Sequence, residues 1–253
     1  MSRVRSMSLL LVVLLVAGCS SSNTPSTPTS SPTEVLPTVV ATVAVTATTS
    51  PKAEPTPELL LQDLRVTRLT IPALGIDSEV QLSQAIPDTS TVPPGCPAPP
   101  PGQQTLTVPE RGLATPEVAF EGLENKAWVF GHSRWQGVPG VLGALEEINV
   151  GDELTVDGVD RQTGAPITGQ RYVVEGLYLT DRESGGELVT ADGPAEIPSR
   201  PLVILQTSVR ETGENRSWIL DQEKVLAKAS NLIEGDVDDP CKYLLLFVIA
   251  RAS

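Results

Sequence analysis

The sequence contains few of the side chains from which metal and catalytic sites are usually built. His132 is the only histidine, and there are three cysteines in 253 residues. Structural zinc sites need four Cys or His ligands and catalytic ones three protein ligands. Since two of the cysteines are expected to pair, we predict no metal centre, and no other cofactor is expected.

Basic side chains are also scarce. The chain has 18 Lys and Arg against 31 Asp and Glu, a formal net charge of −13. Nucleic-acid-binding proteins present basic patches to phosphates, and anionic lipid surfaces attract basic segments. The charge balance therefore excludes a nucleic-acid partner and argues against electrostatic docking on anionic lipid.

The N-terminal apolar run is short, which excludes a spanning helix there. Arg3 and Arg5 precede an apolar run over residues 9–17, whereas a helix that spans a bilayer needs about 20 apolar residues. A basic start with a short apolar core predicts a signal peptide. Residues 16–19 match a lipobox, so Cys19 is expected to carry a diacylglycerol that anchors the chain outside the cytoplasm. An ordinary secretory peptide with an incidental cysteine is the alternative.

The segment after Cys19 lacks glycine and has hardly a charge. Residues 20–60 are mostly Ser, Thr, Pro, Ala and Val, and such a segment cannot bury enough apolar area to offset its ordering entropy. The predicted organisation is a lipoprotein signal peptide (1–18), a lipidated cysteine with a disordered stalk (19–62) and a globular domain (63–253).

Cys96 and Cys241 are the remaining cysteines. Export places them in an oxidising compartment, where a lone pair usually forms a disulfide. Closing so long a loop stabilises a fold by roughly 4–5 kcal/mol. The competing interpretation makes Cys241 a free nucleophile, although neighbouring carboxylates would raise the pKa of its thiol.

Short β-prone segments separated by turn residues recur along the globular domain. They predict strands at residues 64–71, 76–80, 127–130, 152–156, 171–180, 201–207, 217–220 and 243–249. Apolar residues at helical spacing predict helices at 140–148 and 221–233, and the proline-rich segment 87–103 cannot join a sheet. We therefore predict a mainly β fold, a closed or nearly closed barrel with one or two short helices.

Side chains that could take part in catalysis follow two of the predicted strands. His132 follows an apolar strand and a glycine, at a position where a barrel rim is expected. Another apolar strand ends in Thr207 and Ser208, a polar loop follows, and Arg216 opens the next segment. The alternatives are a surface histidine, an inert loop serine and a solvated arginine.

Together with the strands that precede them, these residues resemble the sortase family, the extracytoplasmic cysteine transpeptidases of bacterial surfaces. The resemblance extends from about Leu69 to Leu220 and is carried, in order, by residues 69–80, 129–133, 145–156 and 171–176. It implies an eight-stranded β-barrel, His132 and Arg216 in catalytic positions, and a peptide or protein substrate at the cell envelope. Residues 221–253 lie beyond it as a helix–strand extension, and we expect a monomer.

The sequence departs from the family at the nucleophile, where Ser208 stands in place of cysteine. A free thiol has a pKa of about 8.5 and an alcohol titrates several units higher, at about 1.4 kcal/mol per unit. Ser208 therefore needs neutral His132 as a general base, and Arg216 would stabilise the oxyanion. Two functions stay open: a peptidase or transpeptidase using Ser208, or an inactive sortase-like module that binds peptides. A plain adhesion or spacer lipoprotein would require the motif matches to be coincidental.

Overall fold

The computed structural model describes residues 64–89, 92, 94–118, 123, 126–190, 202–210, 217–233 and 235–253. The predicted signal peptide, Cys19, the stalk and Arg216 lie outside the described residues, so what the sequence indicates about them stays a prediction. Within the described ranges, no helix combines the length and the apolar composition needed to cross a bilayer.

Strands dominate the described part of the chain, and the two α-helices found there are short. The strands are β1 (Leu64–Ile71), β2 (Ile76–Ser83), β3 (Ala85–Pro87), β4 (Gln104–Leu106), β5 (Leu113–Pro116), β6 (Lys126–Phe130), β7 (Arg134–Trp135), β8 (Val138–Pro139), β9 (Glu153–Asp160), β10 (Pro166–Thr180), β11 (Leu202–Ser208), β12 (Ser230–Asn231) and β13 (Leu245–Ala252). The α-helices are α1 (Arg182–Thr190) and α2 (Gln222–Lys228), and 3-10 turns occur at Pro72–Leu74 and Leu145–Glu147.

Eight strands close into a barrel in the order β10-β13-β11-β6-β5-β2-β1-β9, and β9 pairs again with β10. The 15-residue β10 can pair along both edges because register shifts near Val174 and Ile167 bend it. The predicted mainly β fold with a closed eight-stranded barrel and two short helices is confirmed. The strand β13 lies between β10 and β11, so the C-terminal segment is part of the barrel wall.

Alternation along the strands separates an inner from an outer apolar cluster. On β11 and β13, Val203, Leu205, Leu246 and Val248 belong to the cluster that every barrel strand joins. Their neighbours point the opposite way, since successive side chains of a strand face opposite sides. This second cluster contains Leu202, Ile204, Leu245, Phe247 and Ile249 together with Leu188 and Val189 of α1. Because this part of the sheet is covered on both faces, residues 202–205 of β11 and 245–250 of β13 are apolar without interruption.

Three predictions of local structure are wrong. Residues 140–148 form turns that end in the 3-10 turn Leu145–Glu147, although Leu142, Leu145 and Ile148 still enter the inner cluster. The predicted strand at 217–220 is reduced to one bridge between Arg210 and Trp218. The predicted helix at 221–233 ends at Lys228, as α2.

A disulfide joins Cys96 and Cys241, whose Cα atoms are 5.2 Å apart. Cys96 lies in the loop between β3 and β4, and Cys241 precedes β13. The bond therefore ties the proline-rich loop to the segment that leads into the last barrel strand.

Candidate functional site

A groove of about 350 Å³ lies on the outer face of β6, β11 and β13. Its floor consists of outward-facing side chains of these strands: Trp128, Phe130, Gln206, Ser208, Leu245 and Phe247. The β3–β4 segment supplies one wall, and α1 supplies another through Arg182, Gly185 and Gly186. A largely apolar lining with a few convergent polar groups is typical of ligand-binding sites.

His132 and Ser208 both line this groove. The strands β6 and β11 are parallel, and Phe130 lies opposite Gln206. The residues two positions further along each strand direction are His132 and Ser208, so they emerge at the same end of the sheet. The structure thus brings together two of the predicted site residues, while their catalytic roles stay predictions.

Ser208 is 9% exposed and has hydroxyl neighbours on two sides. Its Oγ lies 3.1 Å from Oγ of Ser133, and it also interacts with the phenol of Tyr243. The preceding hydroxyl, Oγ1 of Thr207, donates to the carbonyl oxygen of Gly131 at 2.8 Å. This bond fixes the end of β11 against the residue that precedes His132.

The imidazole of His132 is half-buried, and burial lowers its pKa below the ordinary value of 6.5. At neutral pH it is therefore uncharged, the form that accepts a proton from a nucleophile. Its ring lies 4.7 Å from the indole of Trp135, measured between centroids, at an interplanar angle of 35°.

A tight turn holds Trp135 beside His132. Trp135 pairs with Val138 in the β7–β8 hairpin, and the two residues between them, Gln136 and Gly137, have φ of 47° and 81°. Positive φ at both central residues matches the twist of a two-residue hairpin.

Gly140 closes the loop that carries His132. Its N–H donates to the carbonyl oxygen of Ser133 at 2.8 Å. A Cβ at this position would lie 1.9 Å from the carbonyl oxygen of His132. The approach of the two backbone segments therefore requires glycine at position 140.

Two further polar residues of the groove, Arg182 and Tyr243, were not predicted. The guanidinium carbon of Arg182 lies 5.8 Å from the ring centroid of Tyr243. Its Nη1 also pairs with Oδ2 of Asp88 at 2.6 Å. Arg182 had no signal in the sequence, because α1 contains two glycines and was not predicted.

Tyr243 has a signal that sequence reasoning missed: it follows the predicted disulfide partner Cys241 by two residues. Burial raises the pKa of Tyr243, while its interactions with Ser208 and then Arg182 lower it, and the pKa stays above its ordinary value. The phenol is therefore protonated at neutral pH. Of the other predicted site residues, Arg216 and Cys19 lie outside the described part of the chain.

The described side chains offer no group of three or more His, Cys, Asp or Glu that could hold a metal ion. Cys96 and Cys241 are joined to each other. The groove itself offers a hydroxyl, an imidazole, a phenol and a guanidinium group, from Ser208, His132, Tyr243 and Arg182.

No family model matches the chain, and no curated protein matches it. Among solved structures, a lid mutant of sortase A from Corynebacterium diphtheriae is 15% identical, with a TM-score of 0.38 over 76% of this chain and 72% of that one. A sortase from Actinomyces oris is 13% identical, with a TM-score of 0.38 over 76% and 80%. A mutant of sortase E from Streptomyces avermitilis is 16% identical, with a TM-score of 0.39 over 75% and 88%. At these identities the similarity concerns the fold.

Proposed function

We propose that the groove binds an extended segment of a cell-envelope peptide or protein and that Ser208 cleaves it by acyl transfer. The observation that carries this proposal is the convergence of Ser208 and His132 at one end of an apolar groove. A nucleophile and a base that line one cleft are the arrangement that nucleophilic catalysis requires.

The chemical step follows from the protonation state of each group. Oγ of Ser208 attacks a peptide carbonyl carbon, and its proton passes to neutral His132. The C–N bond then breaks, and the proton moves from His132 to the leaving amine. Water or a second amine then attacks the ester carbonyl and gives its proton to His132. The bond between the acyl carbon and Oγ of Ser208 breaks, and His132 returns the proton to Oγ, which gives hydrolysis or transpeptidation. For this step the Ser208 hydroxyl turns from Ser133 towards the imidazole, and such bonds often tighten only when substrate is bound.

The proposal places this domain outside the cytoplasm on a lipid anchor at Cys19. The predicted stalk of residues 19–62 would act as a spacer. A chain of about forty residues reaches roughly 130 Å when fully extended and spans about 35 Å on average when flexible. The groove would therefore meet substrates near the membrane that holds the protein.

A second function, peptide binding without cleavage, is favoured by the resting contacts of Ser208. Its hydroxyl bonds to Ser133 and interacts with Tyr243, and none of the hydrogen bonds among the described residues joins it to His132. A serine held away from its base would leave a groove that binds peptides and releases them unchanged.

A cleavage assay separates the two functions. We expect a fluorogenic library of extended peptides to be cleaved by the wild type and to give background rates with Ser208→Ala and His132→Ala. Ser78→Ala changes a half-buried serine of β2 that does not line the groove; it is the matched control and should keep the wild-type rate. Mass spectrometry of the trapped wild type should place the acyl group on Ser208.

The outcomes differ for each function. Equal rates for wild type and His132→Ala, with saturable binding of peptide to both, would establish the binding module. Absence of both cleavage and binding would refute the two functions together.

A further inference from the structure

The nucleophilic hydroxyl of Ser208 lies in the groove with two groups that the catalytic step above does not use. The phenol of Tyr243 interacts with Ser208, and the guanidinium of Arg182 lies 5.8 Å from the Tyr243 ring. All three residues line the groove. The attack on a carbonyl creates a negative charge on oxygen, and hydrogen-bond donors fixed in advance around it stabilise the transition state.

The hydroxyl of Tyr243 can donate a hydrogen bond to the substrate. A hydroxyl carries one donor and two acceptor lone pairs, so Tyr243 can accept the contact with Ser208 and still direct its own O–H to another oxygen. Since the ordinary pKa of a phenol is about 10, the hydroxyl is protonated at neutral pH, and the donor is present under the conditions in which His132 is neutral. Arg182 adds a permanent positive charge beside it.

Three covalent or ionic contacts fix these groups before substrate arrives. Cys241, two residues before Tyr243, is bonded to Cys96. Lys242, the residue between them, pairs with Asp181 at 3.2 Å, and Arg182 pairs with Asp88 at 2.6 Å. The segment that carries the phenol is thereby tied both to the proline-rich loop and to the start of α1. Fixed donors of this kind need little reorganisation during the reaction.

We propose that Tyr243, supported by Arg182, is an oxyanion donor of this site: its hydroxyl donates a hydrogen bond to the carbonyl oxygen that Ser208 attacks. The inference rests on the acyl transfer proposed above. As the Oγ–C bond forms, the carbonyl electron pair moves onto the oxygen beside the phenol. When the C–N bond breaks, the pair returns to reform the carbonyl. Tyr243 keeps its proton throughout, while the proton of Ser208 passes through His132 to the leaving amine.

The test is Tyr243→Phe in the full chain, because this change removes the hydroxyl and keeps the ring that contacts Arg182. We expect kcat for peptide cleavage to fall about 100-fold, the scale for loss of one oxyanion donor, with KM within about twofold. Tyr178→Phe is the matched control, since Tyr178 lies on β10 and does not line the groove, and it should leave both constants unchanged.

A second variant covers the case in which Tyr243→Phe does not fold. Arg182→Met keeps an unbranched, shorter side chain and removes the charge, and we expect it to lower kcat about tenfold. A wild-type kcat in a folded Tyr243→Phe, or a rise in KM alone, would overturn the oxyanion role and leave the acyl transfer standing. A wild type that neither cleaves peptide nor becomes acylated at Ser208 would overturn both.

Discussion

Replacement of Gly140 by alanine tests whether the loop geometry positions His132. An added Cβ would lie 1.9 Å from the carbonyl oxygen of His132 and 2.8 Å from its carbonyl carbon. Both contacts are with backbone, so no side-chain rotation relieves them. A tolerable contact of about 3 Å requires the two segments to separate by roughly 1 Å, and overpacking of this kind costs about 1–3 kcal/mol of folding free energy.

The same displacement would move the imidazole relative to Ser208. A misplacement of about 1 Å in a catalytic group lowers rates by about 100-fold. We therefore expect Gly140→Ala to lose about 1–3 kcal/mol in denaturant unfolding and to lower kcat for peptide cleavage by about two orders of magnitude.

Proton NMR observes the imidazole of His132 directly. His132 is the only histidine in the chain, so a single imidazole resonance in the proton NMR spectrum reports its environment, and this resonance should shift in Gly140→Ala. Gly158→Ala is the matched control: its added Cβ would lie 2.4 Å from the backbone carbonyl oxygen of Arg65, and neither residue lines the groove, so this variant should lose stability without shifting the imidazole resonance. A Gly140→Ala protein with wild-type stability and an unshifted resonance would refute the reasoning.

Three further predictions concern the same groove. Because burial lowers the pKa of His132 below 6.5, the NMR titration should give a midpoint under that value, and cleavage activity should decrease on the acid side at the same pH. Since the unfolded chain binds this proton more readily, the free energy of unfolding should decline as the pH drops below 6.5. A titration midpoint above 6.5 would contradict the assignment. Replacing both Cys96 and Cys241 with serine opens a loop of sequence separation 145 and should lower the unfolding free energy by up to about 4–5 kcal/mol. Reductant should lower the unfolding free energy of the wild type and leave that of the double variant unchanged. An equal loss in both proteins would show that the disulfide is not the cause. Ser208→Cys should cleave peptides slowly at neutral pH, where burial of His132 opposes an ion pair with the thiolate. Its rate should rise towards the thiol pKa of about 8.5 and exceed the wild-type rate there, and silence of this variant at that pH would mean that the groove does not position a substrate.

The barrel could be predicted from the sequence because its strands carry strong local signals. Residues 64–71 and 127–130 are β-prone and bounded by turn residues, and the structure has strands β1 and β6 there. The continuous apolar segment before the C-terminus predicts a fully buried strand, and β13 is one because both faces of the sheet are covered at that point. Local pattern and long-range packing agree at these positions.

The wrong predictions occur where a local pattern competes with a tertiary contact. Apolar residues at 142, 145 and 148 have helical spacing, but the loop before them must let Gly140 approach the His132 carbonyl at a distance that no Cβ permits. The chain therefore makes turns, and the apolar side chains still reach the barrel interior. The opposite error occurs in α1, where Gly185 and Gly186 weaken the helical signal. A Cβ on Gly185 would lie 2.8 Å from the Phe247 ring, so glycine allows α1 to pack closely on β13.

Half of the candidate site could be predicted, because His132 and Ser208 each follow a strand and parallel pairing aligns the two strand ends. Arg182 could not be predicted, and the position of Tyr243 beside the predicted disulfide did not by itself indicate the groove, since the proximity of both residues to Ser208 depends on β13 entering the barrel between β10 and β11. That insertion joins residues far apart in sequence, and no local motif encodes it.

The protonation states in the groove suit a serine better than they suit a thiolate. An ion-paired cysteine needs a protonated imidazole beside it, and burial of His132 opposes that charge. A serine needs the opposite arrangement, a neutral base together with donors for the charge that develops on the substrate. Neutral His132 and protonated Tyr243 satisfy both conditions at the same pH. Ser208 therefore stands in an environment consistent with an alcohol nucleophile, and a thiol introduced there would have to work without the ion pair.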